Sequence, residues 1–293
     1  MKPVVVVTGM NGQLGWELQQ LVGSFPSLDF LFTDRSLLDL SNPASIPDFF
    51  KNHKAQYVIN CAAYTAVDKA ETERELAHTI NAKAVGVLAA TCKEMNATLI
   101  HISTDYVFNG MGADGEGKIP YLPDATIDPV NYYGATKAEG EQLAQANNDK
   151  TIIVRTSWVY SAHGNNFVKT MLRLMSSRPE LNVVADQQGS PTYAADLASA
   201  LLQIITKHEL GTKQYGIYQY SNEGIITWYD FAVAIRDGAG LACEVLPITT
   251  DQYPTPAKRP IFSGMDTKAI TDDFGIKPKV WKDSLTNCLR LLV

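Results

Sequence analysis

The sequence predicts an α/β fold built on a doubly wound parallel sheet, with a smaller α/β lobe towards the C-terminus. Two observations predict it. Short, almost wholly apolar runs rich in β-branched residues recur through the first half, as strands covered on both faces require. Amphipathic helical patterns separate them, and strand, helix, strand in repetition builds a parallel sheet through right-handed crossovers.

Taken in order, strands are expected at Val4–Thr8, Leu28–Thr33, Tyr57–Cys61, Thr98–Ser103 and Ile152–Arg155. Helices are expected at Gln13–Val22, Glu71–Met95 and Tyr132–Ala146. The regularity weakens after Thr156. Helical patterns at Asn165–Ser176, Ala195–Ile205, Trp228–Arg236 and Trp281–Leu292 then mix with strand patterns at Asn182–Ala185, Ile217–Ser221 and Cys243–Ile248. The expected division is a first domain over 1–156 and a second lobe over 157–293, partly interleaved with it. Asn109–Lys118, with glycines at 110, 112, 115 and 117, reads either as a plain surface loop or as a mobile lid.

Composition narrows the function classes. The 293 residues are 45% apolar, 19% charged and 9% aromatic, which is ordinary globular usage. Twenty-five Lys and Arg against 31 Asp and Glu give a net charge of −6, so a general nucleic-acid binder or a polybasic membrane protein is not expected. Cys61, Cys92, Cys243 and Cys288 lack metal-ligand spacing, which argues for a reducing compartment and no metal centre. Isolated acids such as Glu17 read as solvated. No run approaches the roughly 20 apolar residues of a membrane span, and the run at Val4–Val7 is too short for a signal peptide. A cytoplasmic protein is the expectation.

The first chemical signal is Thr8-Gly9-Met10-Asn11-Gly12-Gln13-Leu14-Gly15, directly after a strand and opening a helix. Glycine at the tight turn permits backbone angles that a Cβ forbids, a second lets the main chain approach a pyrophosphate, and a third lets the helix pack against the sheet. The free N–H groups of the helix N-terminus then face the phosphates. This context is that of a dinucleotide-binding motif, hence a Rossmann-type sheet. Asp34 closes the second strand, placed to accept hydrogen bonds from an adenosine ribose. Its charge repels a 2′-phosphate that Arg35 would attract, so NADPH and NADH both stay open.

The second signal is Tyr133-Gly134-Ala135-Thr136-Lys137, after a possible Asn131 cap. Positions i and i+4 share a helix face. Lowering a phenol by about 3 pKa units takes roughly 4 kcal/mol, about what one ammonium supplies from roughly 4 Å at an effective dielectric near 20. An acidified Tyr133 beside Lys137 is therefore expected. His101-Ile102-Ser103-Thr104-Asp105-Tyr106 ends a strand where open α/β sheets bind ligands, so the Thr104 hydroxyl is expected beside Tyr133. Asn60-Cys61-Ala62-Ala63-Tyr64-Thr65 ends another strand with small residues that leave room for a cofactor. In the second lobe, Asn165 and Asn166 precede a helix whose N-terminus is expected to bind a diphosphate. Lys169 and Arg173 on that helix either add charge or face solvent, and Trp158 and Phe167 are either stacking platforms or core.

Glycine turn, Asn-Cys-Ala-Ala, Ser-Thr-Asp and Tyr-x-x-x-Lys, in this order, resemble the extended short-chain dehydrogenases/reductases over essentially the whole chain. A narrower resemblance rests on Ala66-Val67-Asp68-Lys69-Ala70-Glu71, Ser103-Thr104-Asp105-Tyr106-Val107-Phe108, Arg155-Thr156-Ser157-Trp158-Val159-Tyr160 and Gly164-Asn165-Asn166-Phe167, with Asp186-Gln187-Gln188-Gly189-Ser190-Pro191-Thr192 and Tyr253-Pro254-Thr255-Pro256-Ala257-Lys258-Arg259-Pro260. These segments are similar to the dTDP-4-dehydrorhamnose reductase family. The resemblance implies NADPH- or NADH-dependent reduction of the C4 keto group of dTDP-4-dehydro-L-rhamnose to dTDP-L-rhamnose, by a monomer or homodimer.

It further implies that Tyr133 donates the proton, Lys137 is its partner and ribose binder, and Thr104 tunes the phenol. Gly9, Asn11, Gly12, Gln13, Leu14, Asp34, Asp39, Leu40, Ala62, Ala63, Tyr64 and Thr65 would hold the cofactor together with Tyr133 and Lys137. Thr104, Asp105, Tyr133 and Trp158 would touch the nucleotide sugar, with Asn166 and Arg259 nearby. Two other readings share these motifs. A nucleotide-sugar epimerase or dehydratase works on a retained NAD, but a 4,6-dehydratase needs an acidic pair after the threonine, and here Tyr106 follows Asp105. A non-catalytic subunit resembling the NADP-binding regulatory subunit of methionine adenosyltransferase is disfavoured by the intact Tyr133, Lys137 and Thr104.

Overall fold

The computed structural model describes residues 2–293. Strand β1 (Val4–Thr8), β-branched at every position, leads through the glycine turn into helix α1 (Gln13–Gln20). Next come β2 (Asp29–Thr33), α2 (Ser45–Asn52) and β3 (Tyr57–Asn60). Helix α2 escaped the sequence pattern because Pro47 interrupts it. Proline is tolerated in a first turn, and Ile46, Phe49 and Phe50 are buried on one face.

The single helix expected over 71–95 is instead α3 (Val67–Ala70), α4 (Arg74–His78), a π-helical turn at Thr79–Lys83, and α5 (Ala84–Glu94). Then follow β4 (Thr98–Thr104), α6 (Tyr132–Asn147) and β5 (Thr151–Thr156). The remainder runs β6 (Val159–Tyr160), α7 (Phe167–Met175), β7 (Glu180–Val184), β8 (Gln188–Gly189), β9 (Thr192–Tyr193), α8 (Ala194–Glu209), β10 (Gly216–Gln219), β11 (Ile226–Thr227), α9 (Trp228–Gly238), β12 (Glu244–Ile248), α10 (Lys268–Phe274) and α11 (Trp281–Leu289).

Six parallel strands form the main sheet in the order β10-β5-β4-β3-β1-β2. From β1 the chain first adds β2 on one side and then β3 on the other. That reversal opens a crevice at the C-terminal ends of β1 and β3, the place where doubly wound sheets hold ligands. The register sets Thr8 beside Asn60 and Asn60 beside His101 at this end of the sheet.

Successive strand residues point to opposite faces, and the core divides accordingly. Val5 and Val7 pack with Leu14 and Leu18 of α1 and with Leu197, Leu201 and Ile205 of α8. Val6 packs on the other face with Ile46 and Phe50 of α2 and Leu88 of α5. Each such side chain, fully buried, stabilises the fold by about 1.5–3 kcal/mol. Helix α8, strand β10 and the Ile270 and Phe274 side chains of α10 thus belong to the first core, although they lie beyond residue 156. A separate core of Tyr160, Val168, Met171, Phe231, Trp281 and Leu285 holds the rest of the C-terminal half around paired strands β7 and β12.

Loop 109–118 is tied down. The Tyr121 hydroxyl donates to Asn109 Oδ1 and accepts from the amides of Gly110 and Gly112, and Phe262 N–H donates to the Gly110 carbonyl. These bonds anchor its start, and Ala113–Glu116 at its tip are exposed. No helix among the described residues is long and apolar enough to cross a membrane.

Candidate active site

The crevice at the reversal is a cleft of about 780 Å³. Gly9 has φ +73°, and a Cβ there would stand 2.9 Å from the Ala62 nitrogen at the end of β3. A Cβ on Gly15 would stand 2.3 Å from the Gly9 carbonyl, so this glycine lets α1 close onto its own turn. On Gly12 a Cβ meets only the Gly9 carbonyl, at 3.3 Å, and otherwise faces open space. Gly12 caps α1 in extended conformation, with no side-chain cap and no acid in the first turn. The helix therefore presents bare N–H groups to an anion.

Asp34, Arg35, Asp39 and Leu40 line the far wall. Asp34 Oδ1 accepts from the Ser36 hydroxyl at 2.6 Å and from the amides of Ser36 and Leu37, and these bonds hold its carboxyl below the usual range. Burial pushes Asp39 up, but the hydroxyl and amide of Ser41 outweigh it and leave the carboxyl lowered.

Helix α6 carries Tyr133 and Lys137 into the same cleft. Its N-cap, Asn131, accepts from the Gly134 amide at 2.8 Å and donates to the Lys258 carbonyl at 2.8 Å, which fixes the helix start against a loop from the other end of the chain. Thr104 ends β4, and its hydroxyl donates to Asp105 Oδ1 at 3.0 Å. Burial raises the Tyr133 phenol well above its ordinary value, and the Thr104 hydroxyl only partly offsets this. The expectation of a phenol acidified by Lys137 thus needs correction. The Lys137 ammonium donates instead to the Ile102 carbonyl at 2.7 Å and lies 3.3 Å from His101 Nε2. Desolvation, not the neighbouring charge, dominates both groups, and Lys137 falls to about 8 although Glu141 pulls it upward.

Beside them, burial raises Asp105 to about 6 against the pull of the Ser263 and Thr104 hydroxyls. Asp105 Oδ2 and Ser103 Oγ are buried without a hydrogen-bond partner among the described residues.

A family model described as the RmlD substrate binding domain matches residues 1–293. A dTDP-4-dehydrorhamnose reductase of Aggregatibacter actinomycetemcomitans is 44% identical over 291 residues, which is 97% of each chain. The chain belongs to the dTDP-4-dehydrorhamnose reductase family. A crystal structure of a reductase of this family from Clostridium acetobutylicum superposes with a TM-score of 0.92 at 42% identity, covering 99% of both chains. One from Bacillus anthracis in complex with NADP gives 0.90 at 38%, again over 99% of both.

Within this reductase-family fold most residues singled out from the sequence meet in the one cleft: Gly9, Asn11, Gly12, Gln13, Leu14, Asp34, Asp39, Leu40, Ala62, Ala63, Thr65, Thr104, Asp105, Tyr133, Lys137 and Trp158. Trp158 has φ +47°, a conformation costly for a bulky residue, and its indole stacks on Trp228 with ring centroids 3.5 Å apart. Tyr64, Asn166 and Arg259 are not among the lining residues. The Tyr64 hydroxyl donates to Glu73, and Arg259 makes a two-point bond to Asp68.

Asn166 accepts from the Lys169 amide at 3.1 Å and donates to the Ser161 carbonyl and to Gln13 of the cleft wall, while Lys169 donates to the Ala162 carbonyl. One N–H of the α7 N-terminus is thus capped, and Gly164 and Asn165 just before it line the cleft. Glu17 is buried rather than solvated. Burial raises its carboxyl despite the Ser161 hydroxyl, which donates to it at 2.6 Å.

Two positioning residues had no reading from the sequence. Asn81, in the π-helical turn, accepts from the Tyr64 amide and donates to the Tyr64 carbonyl and the Thr136 hydroxyl, so it ties the loop after β3 to α6. A mid-helix Asn is the only sequence signal, since such residues compete with helical bonding. Glu141 pairs with Arg155 of β5 at 2.7 Å, both about 1% exposed. Its signal is the Tyr133, Lys137, Glu141 spacing of four.

Proposed function

We propose that this protein reduces the C4 ketone of dTDP-4-dehydro-L-rhamnose to dTDP-L-rhamnose with NADPH or NADH. A single observation carries the reading: Tyr133, Lys137 and Thr104 line the same crevice as the bare first turn of α1. The residues fit a dinucleotide. Gly12 leaves the space a pyrophosphate needs, and Asp34 and Arg35 offer the ribose a carboxylate and a 2′-phosphate a cation. When bound, the reduced nicotinamide supplies the hydride.

The rest belongs to this chain. Tyr133, kept protonated by burial, gives its proton to the oxygen of the former ketone. Thr104 holds that oxygen against the phenol, and Lys137 binds the cofactor ribose and favours the phenolate left behind. The unpaired Ser103 Oγ and Asp105 Oδ2 suit a ligand rich in hydroxyls, and Trp158 stacks on the sugar nucleotide. Residues 1–156 form the dinucleotide-binding domain and 157–293 the substrate lobe, with α8, β10 and α10 returned to the first.

The test is oxidation of NADPH and of NADH, in parallel, on addition of dTDP-4-dehydro-L-rhamnose. Stoichiometric consumption is expected, and Tyr133→Phe is expected to lose about 10²–10⁴-fold in kcat while still binding cofactor. Conversion without consumption would point to an epimerase or dehydratase, and binding without turnover to a regulatory subunit. A Tyr133→Phe variant keeping more than about a tenth of the rate refutes the proton-donor role.

A further inference from the structure

Beneath the cleft runs a buried polar chain that ends on Lys137 and whose other members the reaction above does not use. Thr8 Oγ1 donates to Asn60 Oδ1 at 2.6 Å, Asn60 Nδ2 lies 3.1 Å from His101 Nδ1, and His101 Nε2 lies 3.3 Å from Lys137 Nζ. All four residues are at most 2% exposed. The register of β1, β3 and β4 builds the first two links, and α6 supplies the third.

The first distance sets the direction of the chain. At 2.6 Å it suits a hydroxyl donating to oxygen and is short for an amide N–H donor. Asn60 therefore turns Oδ1 to Thr8 and Nδ2–H to His101, and Nδ1 of the ring accepts. Burial, and then the Lys137 charge, keep His101 neutral. A neutral imidazole carries one proton, so it sits on Nε2, aimed at Lys137. A neutral amine accepts that N–H, whereas an ammonium opposes it.

We infer that His101, held as the Nε2–H tautomer by Asn60, is a positioning residue that disfavours the ammonium form of Lys137 and so sets the pH at which Lys137 discharges. Of the other ionisable groups around the pair, Glu141 of α6 favours the ammonium but is itself engaged by Arg155 of β5. Cys61 after β3, Asp105 after β4 and Tyr133 on α6 line the same cleft.

The experiment is NMR on the full-length protein with labelled histidine and lysine, with His101 assigned by its loss in His101→Gln. In the wild type the His101 ring is expected as Nε2–H, with Lys137 titrating near 8. Asn60→Asp gives Nδ1–H a carboxylate partner, so the tautomer should flip and the Lys137 midpoint rise by roughly one unit or more. His101→Gln, whose amide oxygen accepts from the ammonium, should raise it similarly. Adding Asn60→Asp to His101→Phe should move the midpoint by less than half as much, because no ring remains to relay the change.

A wild-type Nδ1–H ring overturns the inference, as does a flipped tautomer with an unmoved lysine, or an equal rise in the His101→Phe background. The His101→Gln arm decides the matter if Asn60→Asp does not fold. None of these readouts needs turnover. The alkaline limb of kcat follows the Lys137 midpoint only if the Tyr133–Lys137 reading of the function also holds, so the two can fail separately.

Discussion

Replacing Lys137 with methionine should abolish efficient turnover and yet make the protein more stable at neutral pH. The ammonium is buried, and its folded value of about 8 lies below the ordinary 10.5. Between those two values the unfolded chain binds more protons than the folded one, so the stability of the wild type climbs with pH through this window. Below about 8 both states are protonated and the full burial penalty remains. That penalty is about 3 kcal/mol at pH 7, from 2.5 pKa units at 1.36 kcal/mol each, and falls below about 1 kcal/mol at pH 10.

Methionine removes the penalty but also the bond to the Ile102 carbonyl, a loss of about 1 kcal/mol at either pH. Urea unfolding should therefore find Lys137→Met about 2 kcal/mol more stable than wild type at pH 7 and level with it at pH 10. Burial alone still disfavours a charged His101 once Lys137 is gone, so the change in the difference between pH 7 and 10 reports on Lys137. An equal difference at both pH values would refute the argument that desolvation governs this lysine.

Three further outcomes are expected. Gly9→Ala, which forces a Cβ to 2.9 Å from the Ala62 nitrogen at φ +73°, should weaken NADPH binding in a fluorescence titration and cost about 1–2 kcal/mol of stability. Glu141→Ala leaves Arg155 charged and unpaired in the core and should cost about 3–5 kcal/mol in urea unfolding.

Asp105→Asn removes a buried carboxylate raised to about 6. The folded protein binds the extra proton between 3.8 and about 6, so the cost of the charge appears as pH rises through 6. The variant should gain stability relative to wild type above pH 6 and not below 4. Its KM for the sugar nucleotide should rise about tenfold, the worth of one hydrogen bond to a charged group, with the cofactor Kd unchanged.

The main sheet was legible because each strand announces itself locally: Val4–Thr8 is β-branched throughout, and the glycines at 9, 12 and 15 mark the turn that follows. What the sequence concealed is of two kinds. Periodicity gives an element without its partner, so Ala195–Ile205 reads as a helix but not as the cover for α1. Motif reading assigns a residue type without its protonation, so Tyr133 and Lys137 were found while the direction of their shifts was not. The Lys137 ammonium is spent on the Ile102 carbonyl, and burial raises the phenol and lowers the amine. Asn166 and Arg259 show a third limit, because each also engages a residue far away in sequence, Gln13 and Asp68, that no spacing rule foretold.

The return of α8, β10 and α10 to the first core means that the chain threads back and forth between its halves. A fragment cut after Thr156 would expose the Leu14 and Leu18 face of α1 and leave β5 as a raw edge, with its amides open to any passing strand. Limited proteolysis should accordingly yield no stable amino-terminal core. The molecule should therefore melt as one cooperative unit, and a swap of C-terminal lobes between relatives has to carry the returning segments with the sheet they complete.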